Sequence, residues 1–126
     1  MNIVIIGVGY VGLVTGLGLA KLNHTIQFLD IDFQKIDKLK NNISPFYEPD
    51  LENYLKDSEI ISRSSFESEY KEINWDDADI VMICVQTPSS ENNEVDTSYL
   101  FRVFESIADF VDEKTVICIK STIHPE

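Results

Sequence analysis

Basic residues are scarce in this chain: ten Lys and Arg stand against 22 Asp and Glu, for a formal net charge of −12. That balance argues against a nucleic-acid groove or an anionic membrane surface as a partner, because both call for a cationic patch. Cysteine is nearly absent, with only Cys84 and Cys118. Both sit inside apolar runs and read as free core thiols rather than as a secreted disulfide framework. Neither has the His and acid neighbours in sequence that mark a nucleophile. No apolar run is long enough to span a bilayer. No basic-then-apolar leader precedes the first strand, so the chain reads as cytoplasmic. Repeats and low-complexity tracts are missing too, and no metal site is expected. The length of 126 residues and a hydrophobic content of 44% suit one globular domain with a single core.

The informative residues are concentrated between Met1 and Asp32. Ile3 to Ile6 is a β-branched run suited to a strand buried on both faces. Gly7, Gly9 and Gly12 then fit G-x-G-x-x-G. A second apolar strand, Ile26 to Leu29, closes on Asp30, 18 positions after Gly12. Strand, glycine turn, helix, strand and acid form the context that the dinucleotide-binding fingerprint requires. In it Gly7 permits the tight turn, Gly9 lets the backbone approach a pyrophosphate, and Gly12 lets the helix lie close to the first strand. The free N–H groups and positive dipole end of that helix face the phosphates. No Lys or Arg occurs among the first 20 residues, so phosphate binding is expected to rest on backbone N–H groups alone. Asp30 accepts hydrogen bonds from the adenosine ribose, and its charge repels a 2′-phosphate, which favours NAD over NADP.

Further along, the pattern predicts a helix over Tyr10 to Leu22, with Gly12, Gly16 and Ala20 on one face lying flat against the sheet. Gly16 and Gly18 in its interior each cost about 1 kcal/mol against Ala. Asn23 suits a left-handed position after the helix, and His24 a surface turn. Asp32 caps a second helix, Phe33 to Asn41, with Ile36 and Leu39 inward. Lys35 in its first turn either brings an ammonium to the cofactor ribose or phosphate, or is one more exposed lysine. Asn42 to Pro49 is a loop, and Asp50 starts a short helix with Leu51, Tyr54 and Leu55 on one side. Glu59 to Ser62 is expected as a third strand, and Phe66 to Trp75 as a weak helix plus turn. The acids that continue through Asp79 read as a solvated face.

Asp79 to Val85 is a central parallel strand that exits into Gln86-Thr87-Pro88-Ser89-Ser90. A polar loop, Glu91 to Glu94, follows. Asp96 or Thr97 caps an amphipathic helix to about Val111, with Leu100, Val103, Phe104, Ile107 and Ala108 inward. Lys114 to Lys120 is the last strand. This alternation predicts a Rossmann-like, doubly wound parallel α/β sheet in strand order 3-2-1-4-5, a single domain of three αβα layers. The exits at Gly7–Gly12, Asp30, Gln86–Pro88 and Ser121–Thr122 then line one crevice, with the hydroxyls of Thr87, Ser121 and Thr122 beside the glycine turn.

Four stretches carry a resemblance. They are Gly7-Val8-Gly9-Tyr10-Val11-Gly12-Leu13 with Gly16, the loop Ile43-Ser44-Pro45-Phe46-Tyr47-Glu48-Pro49-Asp50-Leu51, Val85-Gln86-Thr87-Pro88, and Lys120-Ser121-Thr122. In their order and spacing the chain resembles the N-terminal NAD-binding domain of the UDP-glucose/GDP-mannose (nucleotide-sugar) dehydrogenase family. The resemblance implies a two-step oxidation of a sugar-nucleotide C6 alcohol to the carboxylate, with two NAD⁺ and a thiol-linked intermediate. It implies Val11, Asp30, Lys35, Thr87 and Thr122 as NAD contacts, beside Gly7, Gly9, Tyr10 and Gly12 of the turn. Thr122 also matches a threonine that helps place the catalytic water. The family's catalytic cysteine, its lysine and asparagine partners and its UDP-sugar domain lie beyond residue 126, as do the segments through which the family forms homodimers. Cys84 and Cys118 do not match that nucleophile. The family usually has proline at the place of His124 and a small residue at that of Gln86. The chain is therefore expected to bind NAD but not to turn over UDP-glucose by itself.

Two alternatives stand beside this. One is a stand-alone nucleotide sensor of the kind that gates potassium uptake. Such domains pass quickly from the second helix to the third strand, whereas here Asn42 to Lys56 intervenes. The other is a different NAD(P)-linked dehydrogenase, such as a hydroxyacid enzyme, with the same first half.

Overall fold

The computed structural model describes residues 1–88 and 96–121. Five parallel strands form one sheet: β1 (Asn2–Ile6), β2 (Thr25–Leu29), β3 (Ser64–Glu67), β4 (Ile80–Ile83) and β5 (Val116–Ile119). Their order is β3-β2-β1-β4-β5, so the sheet reverses direction of growth between β1 and β4. Five helices join them: α1 (Tyr10–Lys21), α2 (Phe33–Lys40), α3 (Leu51–Lys56), α4 (Ser58–Ser62) and α5 (Ser98–Ile107). The doubly wound α/β expectation, with its strand order, holds.

Strand alternation sends side chains to two cores. Ile3, Ile5, Ile26, Phe28 and Phe66 meet α1 through Leu13, Leu17 and Ala20, and α2–α4 through Ile36, Leu39, Leu55 and Ile60. On the other face Val4, Ile6, Leu29, Val81 and Ile83 meet Leu100, Val103 and Ile107 of α5. Helices thus cover both faces, the third layer being α5. Burying a large apolar side chain contributes about 2 kcal/mol, so these cores hold the strand ends in place. The seat of α1 depends on its glycines. A Cβ on Gly16 would collide with the Phe28 ring, and one on Gly12 with the carbonyl oxygen of Gly7.

Several local expectations are corrected. Glu59 to Ser62 is not a strand but most of α4, because the Asp57 carboxylate caps it, accepting from the N–H of Glu59 at 2.9 Å and of Ile60 at 3.3 Å. The third strand lies just beyond, paired in parallel with β2 from Ile26↔Ser64 to Leu29↔Glu67. An edge strand needs little apolar content, and Phe66, stacked on Phe28 at 4.9 Å, anchors this one. Phe66 therefore belongs to β3 rather than to a helix, and only a 3-10 turn, Tyr70–Glu72, precedes Trp75. The indole N–H of Trp75 donates to the Tyr70 carbonyl at 2.7 Å. Helix α5 stops at Ile107, whose carbonyl accepts from the N–H of Phe110 at 2.9 Å in a tighter turn and of Val111 at 3.1 Å. Ala108 is then exposed rather than inward, and Phe104 is half-buried. The second and first helices each end one residue earlier than expected, which is ordinary end fraying. Cys84 and Cys118 are free thiols, half-buried rather than in the core. Asn23 does adopt a left-handed φ of 68° after α1, and the Asp32 side chain does cap α2.

Candidate cofactor-binding site

The crevice opens where β1 and β4 diverge, at the carboxyl ends of the strands. β1 ends at Ile6, and Gly7, at φ +94°, turns the chain so that its N–H reaches the Leu29 carbonyl at 2.9 Å. A side chain at Gly7 would be strained by that φ and would press on the Cys84 carbonyl at 2.8 Å. The N–H of Val8 then donates to Oδ2 of Asp30 at 2.7 Å. Helix α1 begins two residues later with Gly9 as N-cap. No side chain caps it and no acid stands in its first turn. Its first N–H groups are left for another acceptor. A Cβ on Gly9 would meet nothing within 4 Å, so the space over that backbone is open.

Asp30, at the end of β2, is buried to 8% exposure. A buried carboxylate needs partners, and it has three donors. Oδ2 takes Val8 N–H and the Lys35 ammonium, the latter at 2.9 Å, and Oδ1 takes the N–H of Asp32 at 2.9 Å. A carboxylate offers about four acceptor positions, so roughly one, on Oδ1, stays open. Lys35 is thus held on Asp30 from the first turn of α2, where its own N–H donates to Asp32 Oδ1 at 3.2 Å. It is not a free surface lysine.

A cavity of about 440 Å³ lies beside the turn, walled by Gly9, Tyr10 and Val11, by the β4 exit from Cys84 to Pro88, and by Lys120 and Ser121 at the β5 exit. Thr87 stands in that wall, as the exits predicted. Ser121 Oγ donates to the Val85 carbonyl at 2.7 Å and so ties the two exits together. Thr122, the polar loop 91–94 and His124 lie outside the described residues. The Tyr10 ring lies 4.1 Å from that of Phe46, and its hydroxyl donates to the Tyr47 carbonyl at 3.3 Å. It clamps the loop after α2 onto the start of α1.

Two features escaped the sequence reading. Lys120 brings a cation beside the glycine turn, where phosphate binding is expected to rest on backbone donors and the one lysine weighed for the cofactor is Lys35. Its signal was its place at the end of β5, which matters only once β5 is known to pair with β4 through Ile83↔Ile119. Cys84 is also in the crevice wall. Burial pushes its thiol up to about 11, against the pull of the Lys120 charge, with a smaller upward push from Cys118. It remains a neutral thiol near pH 7 and is not an activated nucleophile.

An uncapped helix start under an open glycine, a carboxylate with acceptor capacity to spare, and a long cavity between strand exits fit a diphosphate flanked by a ribose. Fold and site together define a dinucleotide-binding domain of the doubly wound class. The sequence profile of the UDP-glucose/GDP-mannose dehydrogenase family, NAD binding domain, matches residues 1–126. The chain belongs to that family, and the cofactor of this domain is NAD. It is 38% identical to a UDP-glucose 6-dehydrogenase of Bacillus subtilis over 123 residues, 98% of this chain and 28% of that protein. It is 38% identical to a UDP-glucose 6-dehydrogenase of Rickettsia felis over 126 residues, 100% of this chain and 28% of that protein. Among solved structures, a ternary complex of GDP-mannose dehydrogenase from Pseudomonas aeruginosa superposes with a TM-score of 0.90 at 34% identity, over 99% of this chain and 29% of that one. The chain thus spans little more than a quarter of the length of the relatives it matches. Among the described residues no helix is long and apolar enough to cross a membrane.

Proposed function

We propose that this chain is the NAD-holding part of a nucleotide-sugar 6-dehydrogenase, which oxidises the C6 alcohol of a UDP-sugar to the carboxylate with two NAD⁺. The observation that carries this reading is the bond from Val8 N–H to Asp30, which joins the glycine turn to the ribose acceptor in a chain that matches the family end to end. The N–H groups of Tyr10, Val11 and Gly12 hold the diphosphate, with Gly7 and Gly9 giving the turn and the approach. Asp30 takes a ribose hydroxyl on Oδ1, and Lys35 shares its ammonium between Asp30 and that ribose. Lys120 offsets the phosphate charge, which the net −12 of the chain otherwise repels. Thr87 contacts the nicotinamide half. Bound NAD⁺ supplies an acceptor for the hydride leaving C6.

Thr122 contacts NAD and positions the hydrolytic water in the complete enzyme. The thiol nucleophile, the UDP-sugar pocket and the homodimer contacts are assigned to the length that the relatives have and this chain does not cover. The neutral Cys84 does not substitute for that nucleophile. The location is the cytoplasm, where NAD and UDP-sugars are both at hand. The segment with α3 and α4 between α2 and β3 disfavours the nucleotide-sensor alternative. Incubating the 126-residue chain with NAD⁺ and UDP-glucose tests the reading. NAD is expected to bind with no growth of NADH absorbance, and steady NADH production would contradict the division of labour.

A further inference from the structure

We propose that a second cavity, between α1 and the segment from Glu48 to Tyr54, binds an alkylammonium group. The cavity holds about 310 Å³ and shares no lining residue with the cofactor crevice. Its inner wall is apolar, from Val14, Leu17, Pro49 and Leu51. Glu48 and Asp50 also line the cavity.

Three observations set its chemistry. First, Gly18 floors the cavity and has no other explanation in the fold. Gly12 and Gly16 are required because a Cβ there would strike the Gly7 backbone or the Phe28 ring, whereas a Cβ on Gly18 would meet nothing within 4 Å. A helix-interior glycine costs about 1 kcal/mol against alanine. What it yields at this place is open room against the helix backbone. Second, Glu48 is half-buried, and its carboxylate has no hydrogen bond or ion pair among the described residues. An unpaired carboxylate gains from a cation placed against it. Third, Lys21, the cation beside the cavity's Tyr54, is already committed. Lys21 Nζ lies 3.4 Å from the Tyr54 hydroxyl and 4.9 Å from the centre of its ring, and pairs with neither carboxylate. A cavity lined by apolar side chains and by an unpaired carboxylate complements a short aliphatic chain ending in an ammonium. It repels a carboxylate of the same length and gives a neutral alcohol only the apolar lining.

The test is titration of the isotopically labelled chain with n-pentylammonium, with pentanoate and 1-pentanol as controls at constant ionic strength, read by amide correlation spectra. Saturable shifts are expected at Val14, Gly18, Leu51 and Tyr54, with the amine about fivefold tighter than the alcohol. Glu48→Gln should bring the amine down to the alcohol's level. Gly18→Leu, whose side chain would grow into the cavity, should abolish binding of both while the spectrum stays dispersed. Absence of saturable shifts at those amides would overturn the proposal. So would shifts spread over the whole acidic surface, or a Glu48→Gln variant that binds the amine unchanged. The amides of Gly9 to Gly12 report on the cofactor crevice in the same spectra, so the two sites are read separately.

Discussion

The backbone N–H of Val8 and the Asp30 carboxylate meet at 2.7 Å across 22 residues of sequence. The same oxygen holds the Lys35 ammonium at 2.9 Å. One side chain therefore fixes the conformation of the glycine turn and keeps acceptor capacity on Oδ1. Under the proposed function that capacity serves the ribose, which would couple fold and cofactor affinity at this residue.

Replacing Asp30 should cost both. Asp30→Ala leaves the buried Val8 N–H and the Lys35 ammonium without their acceptor, for a loss of about 1–3 kcal/mol in urea denaturation. NAD affinity should fall at least about tenfold by calorimetry, one charge-assisted hydrogen bond being worth roughly that factor. Asp30→Asn keeps an acceptor for Val8 and should recover part of the stability but little of the affinity.

The glycines should separate fold from ligand. Gly12→Ala forces a collision with the Gly7 backbone and should destabilise the chain by about 3 kcal/mol or more, seen as a lowered urea midpoint. Gly9→Ala meets open space and should leave the midpoint nearly unchanged while removing NAD binding, because its Cβ occupies the approach to the helix start.

The Cys84 thiol should be slow to alkylate near neutral pH, with labelling rising only as pH nears about 11, followed by mass spectrometry of its peptide. Lys120→Ala removes the charge that holds the thiol down and should slow labelling further. The sign for stability follows: the folded thiol is pushed above the ordinary 9.0, so its contribution is fully present below that value and is lost as pH rises through about 11. Cys84→Ser should flatten that part of the stability profile.

Asp50 stands before α3 with φ +63°, a left-handed conformation that suits glycine better. Asp50→Gly should be neutral or stabilising by up to about 1 kcal/mol, and Asp50→Val clearly destabilising, by thermal denaturation.

What was legible beforehand was what short-range pattern encodes. The run Ile3–Ile6, the spacing of Gly7, Gly9 and Gly12, and Asp30 at the end of the next strand specify the first βαβ unit. The apolar Ile80–Ile83 marks the strand across the switch point. Ser64 and Ser65 of β3 hid from a search for apolar strands, and the cap at Asp57 turned the apolar Ile60-Ile61 pair into helix. Lys120 in the crevice and the Tyr10–Phe46 ring contact depend on contacts between residues far apart in sequence, which local periodicity does not carry. β5 lies at the sheet edge, as the order 3-2-1-4-5 predicts, and Val116, 59% exposed, shows that its apolar composition is not matched by cover on both faces among the described residues.

Calorimetry of the chain with NAD, with NADP, and with NAD against Gly9→Ala tests the central claim most directly. One NAD per chain, NADP weaker by about tenfold or more, and silence from Gly9→Ala are the results this account predicts. NADP binding as tightly as NAD, or Gly9→Ala binding NAD like the parent, would contradict it.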